Sequence, residues 1–477
     1  MFSNFQELNT YVRENGIKML DFKIPELTGN WRHLTIPANG LTETVFTEGF
    51  GFDGSNYGYK RVEASDMIFI PDLQTAFLDP FWEQPTLSFM VNIYEIKDGE
   101  QVLFGDESRN ILKKALNYLQ KTGVADQFIV GPEFEYYLLD RINYWNYPQA
   151  SGYSLDSRQA GWNSDQESGG QGYQIGCKDG YHKDAPYDLY RDLRSEITLA
   201  LAQLGIKIKY HHHEVGGPGQ HEIEVERGEA FSLADASMLI KYFVKNMAYA
   251  RGKTATFMPK PIYAEAGSGF HIHLQLARKG KSLFNGSSAN CSGLSRLALN
   301  FMGGILVHTP ALMALAAPTT NSYKRLVKGY EAPVAICFAA SNRSAVIRIP
   351  GYATSPEDKR FEFRPGDATG NPYLTFAAIL LAGLDGIEKQ IDPIKEGYGP
   401  IDKNVYHLTP AEEQQLNFLP SSLEEALQAL ESDQQFLRKE DIFSGNLIKN
   451  WLEIKRKESR EINQYPIPKE FELYYDA

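Results

Sequence analysis

The sequence predicts an α+β protein in which a small β-rich domain precedes a larger mixed one, and three observations predict it. Short β-type runs broken by Gly, Pro and Asp fill the stretch from Phe22 to about Lys97. Four later segments place polar residues at i and i+2 with apolar residues between them, and the C-terminal part carries helical periodicity. With 477 residues, 43% hydrophobic and 12% aromatic, the chain can bury a large core. At roughly 100–200 residues per domain its length suits two or three domains.

In the first domain the strand signals are IPELTGNWRHLTIP, MIFIPD and TLSFMVNIYEI. Asp106 or Ser108 is then expected to cap a helix with Leu112, Ala115, Leu116 and Leu119 on one side, ending at Gly123. The boundary falls near Gly105, giving domains 1–104 and 105–477. From Asn143 to Gly172, Ser, Gly, Gln, Asn and Trp occur without a period, which predicts a long surface excursion. Strand and helix signals alternate from there to Pro365, and the apolar stretch Thr375–Leu384 reads as a buried helix. PSSLEEALQALESDQQFL continues the helical part.

Composition excludes several classes. Lys and Arg number 48 against 60 Asp and Glu, a formal charge of −12, and no basic run marks a nucleic-acid footprint. The start, MFSNFQELNTYVRENG, lacks the basic and apolar segments of an export signal, and no apolar run reaches the roughly 18 residues of a membrane span. Cys177, Cys291 and Cys337 are far apart, without metal-ligand spacing, and read as structural thiols of a reducing compartment. A cytoplasmic protein is expected.

The chemistry lies in the i, i+2 pairs: Glu133 and Glu135 in GPEFEYYLL, Glu222 and Glu224 in QHEIEVE, His271 and His273 in GFHIHLQL, Glu362 and Arg364 in KRFEFRP. Alternation puts each pair on one strand face, with Phe134, Ile223, Ile272 and Phe363 on the other. Any one of these is also what a half-exposed edge strand looks like. Four together imply a shared cavity whose carboxylates need cations, and oxygen-rich ligation with imidazole favours Mg²⁺ or Mn²⁺ over zinc. Lys324, Arg325, Arg343, Arg348, Arg360 and Arg364 form a second cluster, which is either a solvated basic face or a set of phosphate and carboxylate forks. Two metals facing arginines point to phosphoryl transfer, and no P-loop signature is present to hold the nucleotide instead.

Seven segments carry a resemblance: FDGSN (52–56), GPEFEYYL (131–138), HHHEVGGPGQHE (211–222), GSGFHIH (267–273), NSYKRLVKGYEAP (321–333), NRSAVIRIP (342–350) and RFEFRPGDATGNPYL (360–374). In order and spacing they resemble the signature motifs of type I glutamine synthetase over nearly the whole length. The resemblance implies an N-terminal β-grasp-like domain and a catalytic domain with a curved antiparallel sheet and flanking helices. It also implies a homo-oligomer, a dodecamer of two hexameric rings with active sites between neighbouring subunits. By position, Glu135, Glu214 and Glu222 look like ligands of one metal, and Glu133, His271 and Glu362 like ligands of the other. Gly267, Arg325 and Arg364 would hold glutamate. His273, Arg343, Arg348 and Arg360 would hold ATP and its phosphates, Asp53 from the neighbouring subunit would take a proton from ammonium, and Glu331 would close over the intermediate.

The chain departs from the family pattern at identifiable places. Ala266 stands where Asn is usual and Asn56 where Ser is usual; around the nucleotide, Lys209 replaces Glu, Gln275 replaces Ser and Glu357 replaces Lys; Lys328 replaces a Pro. Tyr406 lies where some members are adenylylated, but its flanks differ, and a surface tyrosine is expected. The leading expectation is ATP-dependent ligation of ammonia to glutamate. Asn56 and Ala266 motivate a γ-glutamyl amide ligase using an organic amine, and the swapped charges at Lys209 and Glu357 a non-catalytic paralogue. A two-metal hydrolase would leave the arginines unexplained.

Overall fold

The computed structural model describes residues 2–164, 172–286, 292–330, 332–401 and 403–476, which places Glu331 and Cys291 outside the described residues. The chain divides into two compact units, residues 1–115 with 438–451 and residues 116–437 with 452–477.

The first unit opens with helix α1 (Phe5–Glu14), whose N-cap Asn4 accepts the Glu7 N–H at 3.0 Å. Seven strands follow: β1 (Met19–Pro25), β2 (Trp31–Pro37), β3 (Phe50–Asp53), β4 (Asp66–Pro71), β5 (Phe77–Asp79), β6 (Thr86–Lys97) and β7 (Glu100–Leu103). They form one sheet in the order β2-β1-β6-β4-β3, with β5 and β7 also on β6. β1 and β6 run parallel while the other pairs are antiparallel. Phe22, Phe69 and Phe89 alternate onto one buried face, with ring centroids 5.6 Å and 6.0 Å from Phe22. Helix α2 spans Ser108–Thr122. Its cap is neither expected residue: Glu107 accepts the Arg109 N–H at 2.8 Å and the Asn110 N–H at 2.9 Å, so one fully buried carboxylate satisfies two orphan donors.

The second unit is built on a ten-stranded sheet. Its elements in chain order are β8 (Gln127–Leu139), β9 (Arg141–Tyr147), β10 (Ala150–Asp156), α3 (Arg191–Gln203), β11 (Ile208–His213), β12 (Gln220–Val225), β13 (Gly228–Glu229), α4 (Ala230–Ala250) and β14 (Thr254–Thr256). Next come β15 (Phe270–Arg278), β16 (Lys281–Ser282), α5 (Arg296–Ala316), α6 (Ser322–Arg325), β17 (Ala335–Ala340), β18 (Ala345–Ile349), β19 (Phe361–Phe363), α7 (Pro372–Glu388), α8 (Pro410–Glu413) and α9 (Leu423–Ser432). The sheet order is β11-β12-β8-β15-β19-β18-β17, antiparallel except for β17 with β18. β13 and β14 add to β8, and β16 to β15.

Within the expected surface excursion, β9 and β10 pair as an antiparallel hairpin from Arg141 to Asp156. Tyr144, Tyr147 and Tyr153 stand out into solvent on it, which is why no polar–apolar alternation announced the strands. Residues 165–171 of that stretch lie outside the described residues. Of the other two cysteines, Cys337 is buried and Cys177 exposed.

α5 and α7 form the core of the second unit. α7 is buried from Pro372 to Gly386, with Asn371 accepting the Tyr373 N–H at 3.1 Å and Pro372 opening the first turn. The two helices touch through glycine: a Cβ at Gly304 would sit 2.1 Å from the Ala382 carbonyl oxygen, so only hydrogen fits there. α5 alone among the described helices is long and apolar enough to cross a membrane, but 83% of that window is packed inside the protein, as in a core helix.

His308 stitches these helices together. Its Nε2 donates to Asp385 of α7 at 2.9 Å and its Nδ1 to Asp433, beyond α9, at 2.6 Å, while Phe436 stacks on the ring at 4.0 Å. Two carboxylate acceptors require both ring nitrogens protonated. Burial opposes that charge, but the hydrogen bonds to Asp385 and Asp433 outweigh it and raise the His308 pKa; Lys389 also pairs with Asp385. The stabilisation is therefore complete below the unfolded pKa and is lost as pH rises through the folded one. His308→Gln is expected to cost about 2 kcal/mol near pH 6, the worth of charge-assisted hydrogen bonds, and distinctly less at pH 9. Urea midpoints of both proteins at the two pH values check it; an equal loss at both would mean the imidazole is neutral.

Candidate active site

The sheet order makes neighbours of strands far apart in sequence. Across β12 and β8, Glu222 faces Glu135 and Glu224 faces Glu133; across β8 and β15, Glu133 faces His271; across β15 and β19, His273 faces Glu362; and β18 adds Arg348 opposite Glu362. Phe134, Ile223, Ile272 and Phe363 take the opposite face and are buried in the core, as the alternation predicts. Glu214 follows directly after β11.

Among the described residues, three groups of side chains bring ligand atoms within 4.8 Å of one another: Glu133 with His271 and Glu362, His212 with Glu214 and Glu222, and Glu133 with Glu224 and His273. His271 Nδ1 lies 3.2 Å from Glu133, 3.7 Å from Glu362 and 3.8 Å from Glu135, so Glu135 sits between the first two groups. His212, with Nε2 3.4 Å from Glu222, was not among the expected ligands. Its signal was present, since His212 and Glu214 are another i, i+2 pair, but three consecutive histidines hid it. Carboxylates with one imidazole per group suit a hard, oxygen-seeking divalent cation, so the donor set fits Mg²⁺ or Mn²⁺.

The group faces a cavity of about 360 Å³ whose walls also include Arg325, Arg343, Arg348 and Arg364. Arg348 Nη1 donates to Glu362 at 2.8 Å, and Arg364 pairs with the other Glu362 oxygen. Buried Arg325 donates to the carbonyls of Arg364, Pro365 and Gly366 and lies 3.2 Å from His271 Nε2. With its N–H groups so committed, it offers the cavity charge more than a free fork. Gly267 lets it in: a Cβ there would be 2.7 Å from Arg325 Cγ and 2.6 Å from the Pro259 oxygen. Arg360 is buried beside the group, its Nε 3.4 Å from His273 Nδ1 and its guanidinium 5.4 Å from the Tyr352 ring.

Other expected residues fall differently. Tyr330 and Ala332, on either side of Glu331, line the cavity, and the Tyr330 ring carries Lys260 at 3.7 Å and Lys178 at 4.0 Å, a clamp that no motif marked. Asp53 belongs to the first unit, where it is exposed at the start of a 3-10 turn. It accepts the Ser55 hydroxyl at 2.6 Å, the Ser55 N–H at 2.9 Å and the Asn56 amide at 2.8 Å. The Ser55 bonds hold its carboxyl below the usual range. Gln275 donates to the Glu357 and Lys359 carbonyls, and Tyr406 is half-buried rather than a free surface tyrosine, its hydroxyl donating to Ala332 at 2.6 Å.

Burial and crowding split the carboxylates. Glu214 and Glu222 are pushed well above the ordinary range, first by burial and then by neighbouring carboxylates: Glu135 for the one, Glu133 and Glu135 for the other. Burial also pushes Glu133 up, but hydrogen bonds from His271 and His273 reverse the balance and hold it well below. Burial pushes Glu362 up as well, but Arg364 together with His273 and His271 reverses the balance and holds it at about 2. Without cations, burial and crowding therefore favour the protonated forms of Glu214 and Glu222, and a divalent ion competes with protons for them. Binding of Mg²⁺ is expected to release protons and to tighten as pH rises. Calorimetry in buffers of different ionisation enthalpy reads the number directly; no release would contradict the crowded site.

Comparison with known proteins shows similarity to glutamine synthetases over nearly the whole length, and solved structures of GmaS also superpose, with a TM-score of 0.79 at 27–28% identity. The family described as "Glutamine synthetase, catalytic domain" matches residues 106–474, and "Glutamine synthetase, beta-Grasp domain" matches residues 16–96. A curated glutamine synthetase of Frankia alni is 45% identical over 480 residues, covering 100% of both chains. That of Salmonella typhimurium is 42% identical over 471 residues, covering 98% of each. The cryo-EM structure of Plasmodium falciparum glutamine synthetase superposes with a TM-score of 0.88 at 28% identity, covering 99% of each chain.

Proposed function

The chain belongs to the glutamine synthetase family, and from that premise we propose that it joins ammonia to the γ-carboxylate of glutamate, using ATP and forming glutamine, ADP and phosphate through γ-glutamyl phosphate. The observation that carries this reading is the single cavity in which carboxylate–imidazole groups face Arg325, Arg343, Arg348 and Arg364. Carboxylates and imidazoles alone would serve a hydrolase; the added arginines suit a reaction that transfers a phosphoryl group between anions.

Glu135, Glu214 and Glu222 would hold one divalent ion, and Glu133, His271 and Glu362 the other. Such ions, when bound, neutralise phosphate charge. The chain's own groups do the rest. Arg325 and Arg364 set a positive field for the glutamate carboxylates, with Gly267 leaving room for them. Arg343, Arg348 and Arg360 stabilise charge on the transferred phosphoryl group, and His273 helps seat the nucleotide. Asp53, anionic throughout the neutral range, attracts ammonium and accepts its proton as the amide forms. Glu331 closes over the acyl phosphate and keeps water from it. The assembly we propose is a cytoplasmic dodecamer of two hexameric rings, with the active sites between subunits.

Phosphate release from ATP, glutamate and Mg²⁺ or Mn²⁺, with ammonium set against a panel of amines and the product identified by mass, tests the reading. Glutamine from ammonium is the expected product, and turnover confined to an organic amine would overturn ammonia as the nucleophile. Ala266 lines the cavity, its carbonyl fixed by the Tyr137 hydroxyl at 2.6 Å. Restoring an amide with Ala266→Asn is expected to lower KM for glutamate about two- to twelve-fold at unchanged kcat, the worth of one hydrogen bond of about 0.5–1.5 kcal/mol. An unchanged KM would show that the amide does not reach the substrate.

A further inference from the structure

The third group, Glu133 with Glu224 and His273, is assigned no ion in the reaction proposed above, and Glu224 has no part in it. We infer that in this chain a side chain fills it: the Lys209 ammonium is a tethered cation that takes the place of a third divalent ion.

The backbone is built to put it there. β11 pairs with β12 in register from Tyr210 to His213, but the register shifts between Ile208 and Tyr210, leaving Lys209 and Tyr210 together opposite Glu224. A regular strand would send consecutive side chains to opposite faces. Because of this bulge, Lys209 and Tyr210 both line the cavity, the re-aiming that bulges near active sites perform. Lys209 Nζ lies 2.7 Å from Glu224 Oε1 and 4.9 Å from the centre of the Tyr210 ring, which adds a cation–π contact.

The receiving site asks for a cation independently of Lys209. Glu224 is 2% exposed, and its second oxygen, Oε2, is buried without a hydrogen-bond partner. His273 Nε2 lies 2.8 Å from Glu133 Oε1 and 4.0 Å from Glu224 Oε1, so an imidazole and two carboxylates converge. An unpaired carboxylate oxygen at that depth is costly. The Lys209 side chain is 40% exposed, so its charge reaches in from solvent and can be withdrawn or replaced without disturbing the core. Lysine supplies positive charge but no coordination shell, so the protein keeps a fixed charge beside Glu224 whatever the free metal concentration.

The inference rests on the proposed function only for the two ions already assigned, and its test is separate from turnover. The measurement is the number of Mn²⁺ ions bound per chain without nucleotide, from the free-ion paramagnetic resonance signal over a titration. The native protein is expected to bind two. Lys209→Met, which keeps the stem and removes the charge, is expected to bind three, with Lys209→Gln as a second variant; retention of the first two ions reports an intact fold. Adding Glu224→Gln to Lys209→Met should return the count to two. A native count of three, or a count of two in both single variants, overturns the inference even if glutamine is made. A rise from two to three in a chain that makes no glutamine would uphold it and overturn the proposed reaction instead.

Discussion

Glu362→Gln is expected to lower glutamate-dependent phosphate release about a thousand-fold or more, equivalent to roughly 4 kcal/mol in the barrier. Glu362 is fully buried and belongs to the group with Glu133 and His271. The same carboxylate holds Arg348 with one oxygen and Arg364 with the other. Glutamine keeps the shape but removes the charge, so a proposed metal ligand is lost while Arg348 and Arg364 lose the negative charge they share at Glu362. Leaving one partner of a buried pair uncompensated costs about 3–5 kcal/mol, so a lower unfolding midpoint should accompany the loss of activity. Divalent-ion affinity should fall with it, read by calorimetry. Native turnover in a folded variant would mean that Glu362 is not part of the machinery.

Asp53→Asn is expected to separate the two halves of the reaction. Activation of glutamate by ATP should proceed, while the rate of glutamine formation from ammonium falls about a hundred- to ten-thousand-fold, the usual contribution of a positioned proton acceptor. The Ser55 bonds keep the native carboxyl below its ordinary pKa, so it stays ionised down to mildly acid pH and contributes no limb to the rate profile between pH 6 and 8. The discriminating readout is phosphate against glutamine: the variant should release phosphate by slow hydrolysis of the acyl phosphate without a matching yield of amide. Equal loss of both would place Asp53 in ATP or glutamate binding.

The alternation of GPEFEYYLL, QHEIEVE, GFHIHLQL and KRFEFRP made the polar face of the sheet legible, because a period of two leaves little freedom in where side chains point. Strand order was not legible from periodicity, since β8 pairs with partners that come roughly a hundred residues later, and nothing local specifies which. The bulge at Lys209 was invisible because no Gly or Asn marks it in IKIKYHHH. The β9–β10 hairpin escaped because both its faces meet solvent, removing the contrast on which periodicity depends. Glu107 was missed as a cap because burial and two backbone donors, rather than local preference, select it. The carboxylates and arginines that meet at the cavity were legible for the opposite reason: buried charge on a strand is costly enough to stand out in the sequence itself.

The central claim is that the γ-carboxylate of glutamate attacks the terminal phosphorus of ATP, and oxygen-18 tests it most directly. Glutamate labelled in the γ-carboxylate is turned over with ATP and ammonium, and the released phosphate is weighed by mass spectrometry. The account predicts one labelled oxygen in each phosphate, carried across when the acyl phosphate breaks its carbonyl–oxygen bond. Unlabelled phosphate formed alongside glutamine would contradict it.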